Sequence, residues 1–295
     1  MFVLKKIIAL SLCLCLAFLL CAPAFAYEPG DARAVIGASL TEEQTAQVYS
    51  TFGVSRGSVP ELTVTNAEER EYLDGFVDPA LIGTNSISCV YLELLPAGEG
   101  LQIETSNLTW CTSDMFVNAL VTGGVEDAKI IVTAPFEVSG SAALTGIYKA
   151  YEDLTGQKLD DAAKLISTQE LVVTGELADA IGSYDALTIV NEIKLILAET
   201  SEMTDEELHA QILEIAEEYG VTLHDSQVDQ LITLCRAFEK MNPEQLREKV
   251  EYVQTTVKKL AAAQEKVAGI TEKVKDIVQT VTDFINRVIS FFKKG

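Results

Sequence analysis

The chain has 295 residues, 48% of them hydrophobic, and a formal net charge of -22. The apolar share excludes a disordered chain. The acidic balance excludes nucleic-acid binding, which draws most of its affinity from basic groups at phosphates, and it is unevenly spread: residues 27–240 carry 10 basic and 37 acidic side chains, 241–295 carry 10 and 7.

The first 26 residues read as a secretory signal peptide. Lys5 and Lys6 precede an uncharged apolar run from Ile7 to Cys21, followed by Pro23 and the small-residue frame Ala24-Phe25-Ala26. The greasy run can enter the membrane while its basic end stays inside, and the frame puts cleavage between Ala26 and Tyr27. The expected product is secreted and belongs to the cell envelope. Cys13, Cys15 and Cys21 leave with the leader; Cys89, Cys111 and Cys235 remain, without the spacing of a zinc site or a disulfide framework.

Tyr27 to Gly37 is polar and short of periodicity, which predicts a flexible or edge segment. Thr41-Glu42-Glu43-Gln44 is an N-cap with acids in the first turn, opening a helix over 41–51 that Gly53 closes. A strand over 59–65, a helix over 66–73 and a strand over 86–95 follow; Pro96 to Gly100 turns the chain into a strand over 101–110. A helix capped at Thr112 breaks at Gly123-Gly124, and 128–134 is a compact apolar strand. Strand, helix, strand, strand, helix, strand is the β-α-β-β-α-β order of a ferredoxin-like sandwich. The expected class is α+β: a sandwich over 38–150, a helical region over 151–241 and a long amphipathic helix over 243–293. In that reading Cys89 and Cys111 lie on the two arms of a hairpin, within reach of a bridge, with free thiols as the alternative. Helices are expected over 142–154, 160–181 with a weak point at Gly175, 184–199, after the cap at Thr204, and over 225–241.

In the last segment Val250, Val253, Val257, Leu260, Val267 and Val274 hold a repeat of alternating three and four spacings, with Gln264 and Thr271 as polar interruptions, and the pattern continues to Phe292. One continuous helix there would span about 73 Å, far beyond a compact domain. Its end, with Ile285, Arg287, Phe291, Phe292, Lys293 and Lys294, combines apolar anchors with cations as interfacial helices do. Two readings stand: packing on the preceding helices or on a partner helix, including that of a second copy, or contact with a membrane or anionic polymer of the envelope.

Four blocks carry a resemblance: Val64-Thr65-Asn66-Ala67-Glu68-Glu69-Arg70, Ile82-Gly83-Thr84-Asn85-Ser86-Ile87-Ser88, Asn107-Leu108-Thr109-Trp110, and Ala134-Pro135-Phe136-Glu137-Val138-Ser139-Gly140. In this order they resemble the YpuA-like secreted proteins of Gram-positive bacteria, the domain-of-unknown-function family DUF1002. The resemblance implies export and supplies no catalytic residues.

No phosphate-binding glycine loop, zinc-binding histidine pair or nucleophile elbow occurs, so neither a cofactor nor a metal is expected. His209 and His224 lack a catalytic setting. Paired carboxylates need no local spacing; Glu69, Asp114 and Glu137, within or beside the blocks, are the first candidates, although capping also explains Glu69 and Asp114. Trp110 and Tyr91 suit either a sugar-stacking surface or a core. The leading expectation is a non-enzymatic interaction module of the envelope; the alternative is a wall hydrolase using paired carboxylates.

Overall fold

The computed structural model describes residues 28–251 except 78 and 243. The cleavage positions Ala24, Ala26 and Tyr27, and the contact positions Ile285, Arg287, Phe291, Phe292, Lys293 and Lys294, lie outside the described residues.

Local chemistry sets most helix starts. Helices α1 (Glu42–Phe52) and α2 (Asn66–Leu73) both open on capping boxes, Thr41 with Gln44 and Thr65 with Glu68. In each box two otherwise orphaned backbone donors find side-chain oxygens. Strand β1 is Ala32–Gly37, β2 is Glu61–Val64, and the short helix α3 is Pro79–Ile82. Then come β3 (Cys89–Leu94), β4 (Leu101–Thr105), α4 (Ser113–Gly123) and β5 (Ala128–Thr133).

The five strands form one mixed sheet in the order β2-β1-β3-β5-β4. Strands β1 and β2 are parallel, as are β4 and β5, and β3 runs antiparallel to both neighbours. The α+β class holds; the ferredoxin-like order does not, for two reasons. Residues 32–37, expected to be flexible or at an edge, form an interior strand. Ala34 and Val35 point to opposite faces and both are buried, so the strand lacks the alternation that marks a half-buried one.

The expected 86–110 hairpin also fails, because β5 lies between β3 and β4. Ile130 and Val132 are fully buried, whereas β4 alternates half-buried with exposed, which suits β5 to the interior and β4 to the rim. The Pro96–Gly100 loop spans the gap: Asp127 Oδ1, just before β5, accepts from Gly98 N at 3.0 Å and Gly100 N at 2.7 Å.

Without the hairpin the expected bridge loses its geometry. Cys89 belongs to the apolar cluster on one face of the sheet and Cys111 to the cluster on the other, and both are free. Burial pushes their thiols up, to about 11 and about 12. Both are poor nucleophiles.

Helix α1 covers one face; α4 and α5 (Ala143–Thr155) cover the other. The β1-to-β2 and β4-to-β5 crossovers step the same way between co-directional strands, yet their helices lie on opposite faces. They are therefore of opposite hand, and one departs from the right-handed rule. The helical region follows as α6 (Asp161–Ile181), α7 (Ser183–Leu195), α8 (Leu197–Thr200), α9 (Asp205–Glu218) and α10 (Asp225–Phe238). Helix α6 runs unbroken through Gly175. It gives Leu171 to the sheet-side core and Ile166, Val173 and Leu177 to a second core shared with α7, α9 and α10. The first compact unit ends at Leu246, and the chain from Arg247 forms another.

Candidate functional site

The carboxyl ends of β1, β2, β4 and β5 share one end of the sheet, where β3 begins. Open α/β sheets place ligands outside such ends. All four blocks that carry the resemblance converge here: one follows β2, one leads into β3, one follows β4 and one follows β5.

Their polar side chains hold loops together. Beyond β4, Asn107 adopts a left-handed backbone (φ 57) and donates from Nδ2 to Ala134 O at 2.7 Å. Thr109 N and Cys111 N donate to Val138 O and Ser139 O, joining the two loops as a ribbon. Gln47 of α1 donates to Pro135 O at 3.1 Å. The large apolar side chain left outward is Phe136, 48% exposed and the most exposed of its kind among the described residues.

On the β2 side, the Arg70 guanidinium donates to Gly83 O at 2.7 Å and Pro79 O at 3.3 Å, pinning the two ends of α3. Ser86 Oγ donates to Glu69 Oε1 at 2.5 Å, and Asn66 Nδ2 reaches the other carboxylate oxygen at 3.4 Å. Ser86 N donates to Ser39 Oγ, and Ser39 N returns a bond to Ser86 O. Gly37 is required where the loops meet: a Cβ there would lie 2.7 Å from Ser86 C and 2.9 Å from Ile87 N, backbone atoms that cannot turn aside.

Glu69 is thus no cap. Glu68 closes the capping box, and Glu69, about 100° further round the helix, is 1% exposed. Burial raises its pKa, opposed by the bonds from Ser86 and Asn66. The folded chain therefore holds this proton to higher pH than the unfolded chain, so the Glu69 contribution to stability declines as pH rises from 4.5 through the folded value. Glu69→Gln keeps an acceptor for Ser86 and is expected to flatten that decline in urea titrations between pH 4 and about 7. An unchanged slope would assign the pH dependence to other groups.

The three candidate acids are not joined: no described hydrogen bond or ion pair links Glu69 to Asp114 or Glu137. Asp114 is exposed in the first turn of α4, whose cap is Thr112, and Glu137 is exposed beside Phe136. The aromatic pair is also parted. Tyr91 is buried under α1, whereas Trp110 packs on α6 at Gly175 and donates to Asp179 Oδ2 at 2.9 Å. His209 Nε2 lies 3.9 Å from Asp225, and His224 caps α10. Among the described residues no three His, Cys, Asp or Glu side chains are grouped to hold a metal ion.

Sequence reading also misses a buried ion pair. Lys194 of α7 and Glu170 of α6, both within 1% of full burial, bond directly where α4, α6, α7 and α10 meet. Thr122 Oγ1 donates to Glu170 at 2.5 Å, and the ammonium lies 5.2 Å from the centre of the Phe238 ring. Burial pushes the carboxyl up and the ammonium down, while their mutual attraction opposes both. Charges on a helix that otherwise reads as amphipathic gave no sign of this inward pairing.

Among known proteins, residues 36–255 match the family model described as "Protein of unknown function (DUF1002)". The chain is 40% identical over 213 residues to "Uncharacterized protein YpuA" of Bacillus subtilis (strain 168), covering 72% of each chain. No solved structure matches. The family match runs from the end of β1 through the joined loops and the helical region, and the chain belongs to the DUF1002 family.

Proposed function

We propose that this is an exported cell-envelope protein that binds its target without converting it, with the loop end of the sheet as its recognition surface. One observation carries the reading: the polar residues of the four blocks hold loop backbones in place and leave Phe136 displayed on a rigid rim. Loops fixed on a scaffold are the usual seat of binding, and a rigid aromatic supplies contact area at little entropic cost. Residues 243–293 serve as the association element, through a membrane or anionic polymer or through a partner helix. No helix among the described residues is long and apolar enough to cross a membrane.

The test is retention of the chain lacking residues 1–26 on isolated bacterial wall and membrane fractions. Removing 247–295, which leaves the first compact unit whole, is expected to abolish salt-sensitive retention. Phe136→Ser, at a half-exposed position, is expected to weaken wall retention about tenfold while the variant stays folded in urea titration. Retention unchanged by both overturns the reading.

The alternative is a wall hydrolase using paired carboxylates; against it, Glu69 is 1% exposed and no described bond or ion pair joins it to Asp114 or Glu137. Release of wall fragments that Glu69→Gln, Asp114→Asn or Glu137→Gln abolishes would move the conclusion there.

A further inference from the structure

The two edges of the sheet are treated differently. At the β2 edge, Lys149 of α5 reaches over and donates from Nζ to Thr63 O at 2.6 Å, while pairing with Glu68. A lysine on an edge strand is a standard device against further pairing. The β4 edge has no such cover. Ser106 N donates to Val132 O and Ala128 N to Gly100 O, which fixes the phase of the β4–β5 ladder. The backbone groups of Gln102 and Glu104 then face β5, and those of Leu101, Ile103 and Thr105 face outward. No described residue bonds to these outward groups.

We propose that β4 is a self-pairing edge, through which two copies of the chain join their sheets about a two-fold axis. An antiparallel copy centred on Ile103 sets Leu101 against Thr105 of the partner subunit and Ile103 against the partner's Ile103. Every outward N–H and C=O in these pairs then meets an outward counterpart. Gln102, exposed and with Lys129 of β5 beside it, falls opposite the partner's Glu104, and Glu104 opposite the partner's Gln102. Each cross-strand pair is an amide against a carboxylate, with no like charges opposed.

Competing registers are poorer. Centring on Glu104 opposes two carboxylates, and centring on Gln102 leaves Thr105 unpaired. The same patch serves on both subunits, so the assembly closes at two copies with no open edge at the junction. Both bodies are strongly acidic, so salt screens their repulsion and strengthens pairing. Envelope retention through the cations of 243–293 responds to salt in the opposite sense.

Sedimentation of the full chain lacking residues 1–26 tests this across protein concentration. Gln102→Glu opposes carboxylates at both symmetric positions and is expected to weaken dimerisation about tenfold; Gln102→Lys creates two ion pairs and is expected to strengthen it about fivefold. Raising salt should strengthen wild-type dimerisation. Position 102 is exposed in the monomer, so folding is retained in both variants. A chain that stays monomeric to about 1 mM, or a dimer indifferent to both substitutions, overturns the proposal; the second result assigns self-association to another surface.

Discussion

Lys194→Met is expected to destabilise the fold by about 3–5 kcal/mol, because it leaves the Glu170 carboxylate buried without its counter-charge. Only Thr122 Oγ1 would still donate to it, and one hydroxyl does not replace the water that burial removes. Because burial already pushes Glu170 toward its protonated form, the penalty should shrink as pH falls and the carboxyl neutralises. The partner experiment is Glu170→Leu with Lys194→Met, which replaces both charges by apolar groups and is expected to recover stability to within about 1 kcal/mol of wild type or exceed it. Urea unfolding of the three proteins measures this. A double variant no more stable than the single one would show that packing, not charge, holds the site.

Gly175→Ala sets two effects of opposite sign against each other. Alanine is the better helix former by about 1 kcal/mol, and α6 is helical throughout. However, a Cβ at 175 would lie 2.6 Å from Trp110 Cε2 and 2.8 Å from Cη2, distances that real Cβ atoms do not tolerate. The indole cannot swing away freely, because its N–H is bonded to Asp179 of the same helix. Overpacking costs about 1–3 kcal/mol, or more where the neighbour is fixed, so the clash is expected to win and lower the unfolding midpoint. In a Trp110→Ala background, itself destabilised by lost packing, the clash is gone and Gly175→Ala should be neutral or stabilising. This reversal of sign is what a thermal double-mutant cycle would read; additive effects would mean that Trp110 and Gly175 do not meet.

Legibility from the sequence follows the range of the interactions involved. The boxes at Thr41 and Thr204 open helices where expected, since a cap and its partner lie three residues apart; α2 opens on Thr65 with Glu68, one residue ahead of a box that would use Glu69. The β4–β5 insertion was hidden, because Pro96 to Gly100 has the composition of a hairpin turn and only long-range burial favours β5 for the interior. Strand β1 was hidden for a related reason: a strand buried on both faces leaves no alternation to read. The four blocks fall on the loops at one end of the sheet, but nothing in them shows which of two adjacent acids faces inward. Glu68 and Glu69 carry the same chemistry and differ by one helical step, and the partner that separates their roles, Ser86, lies 17 residues away.

The two-sided burial of α6 also bears on how the molecule can be divided. A fragment ending after α5 would strip the α6 cover from the sheet and leave oily surface in water, inviting clumping. A fragment beginning at α6 would inherit half of a wall with nothing behind it. The smallest piece able to stand alone must therefore run from β1 through Leu246, and dissecting this protein into a sheet half and a helix half should yield two insoluble products.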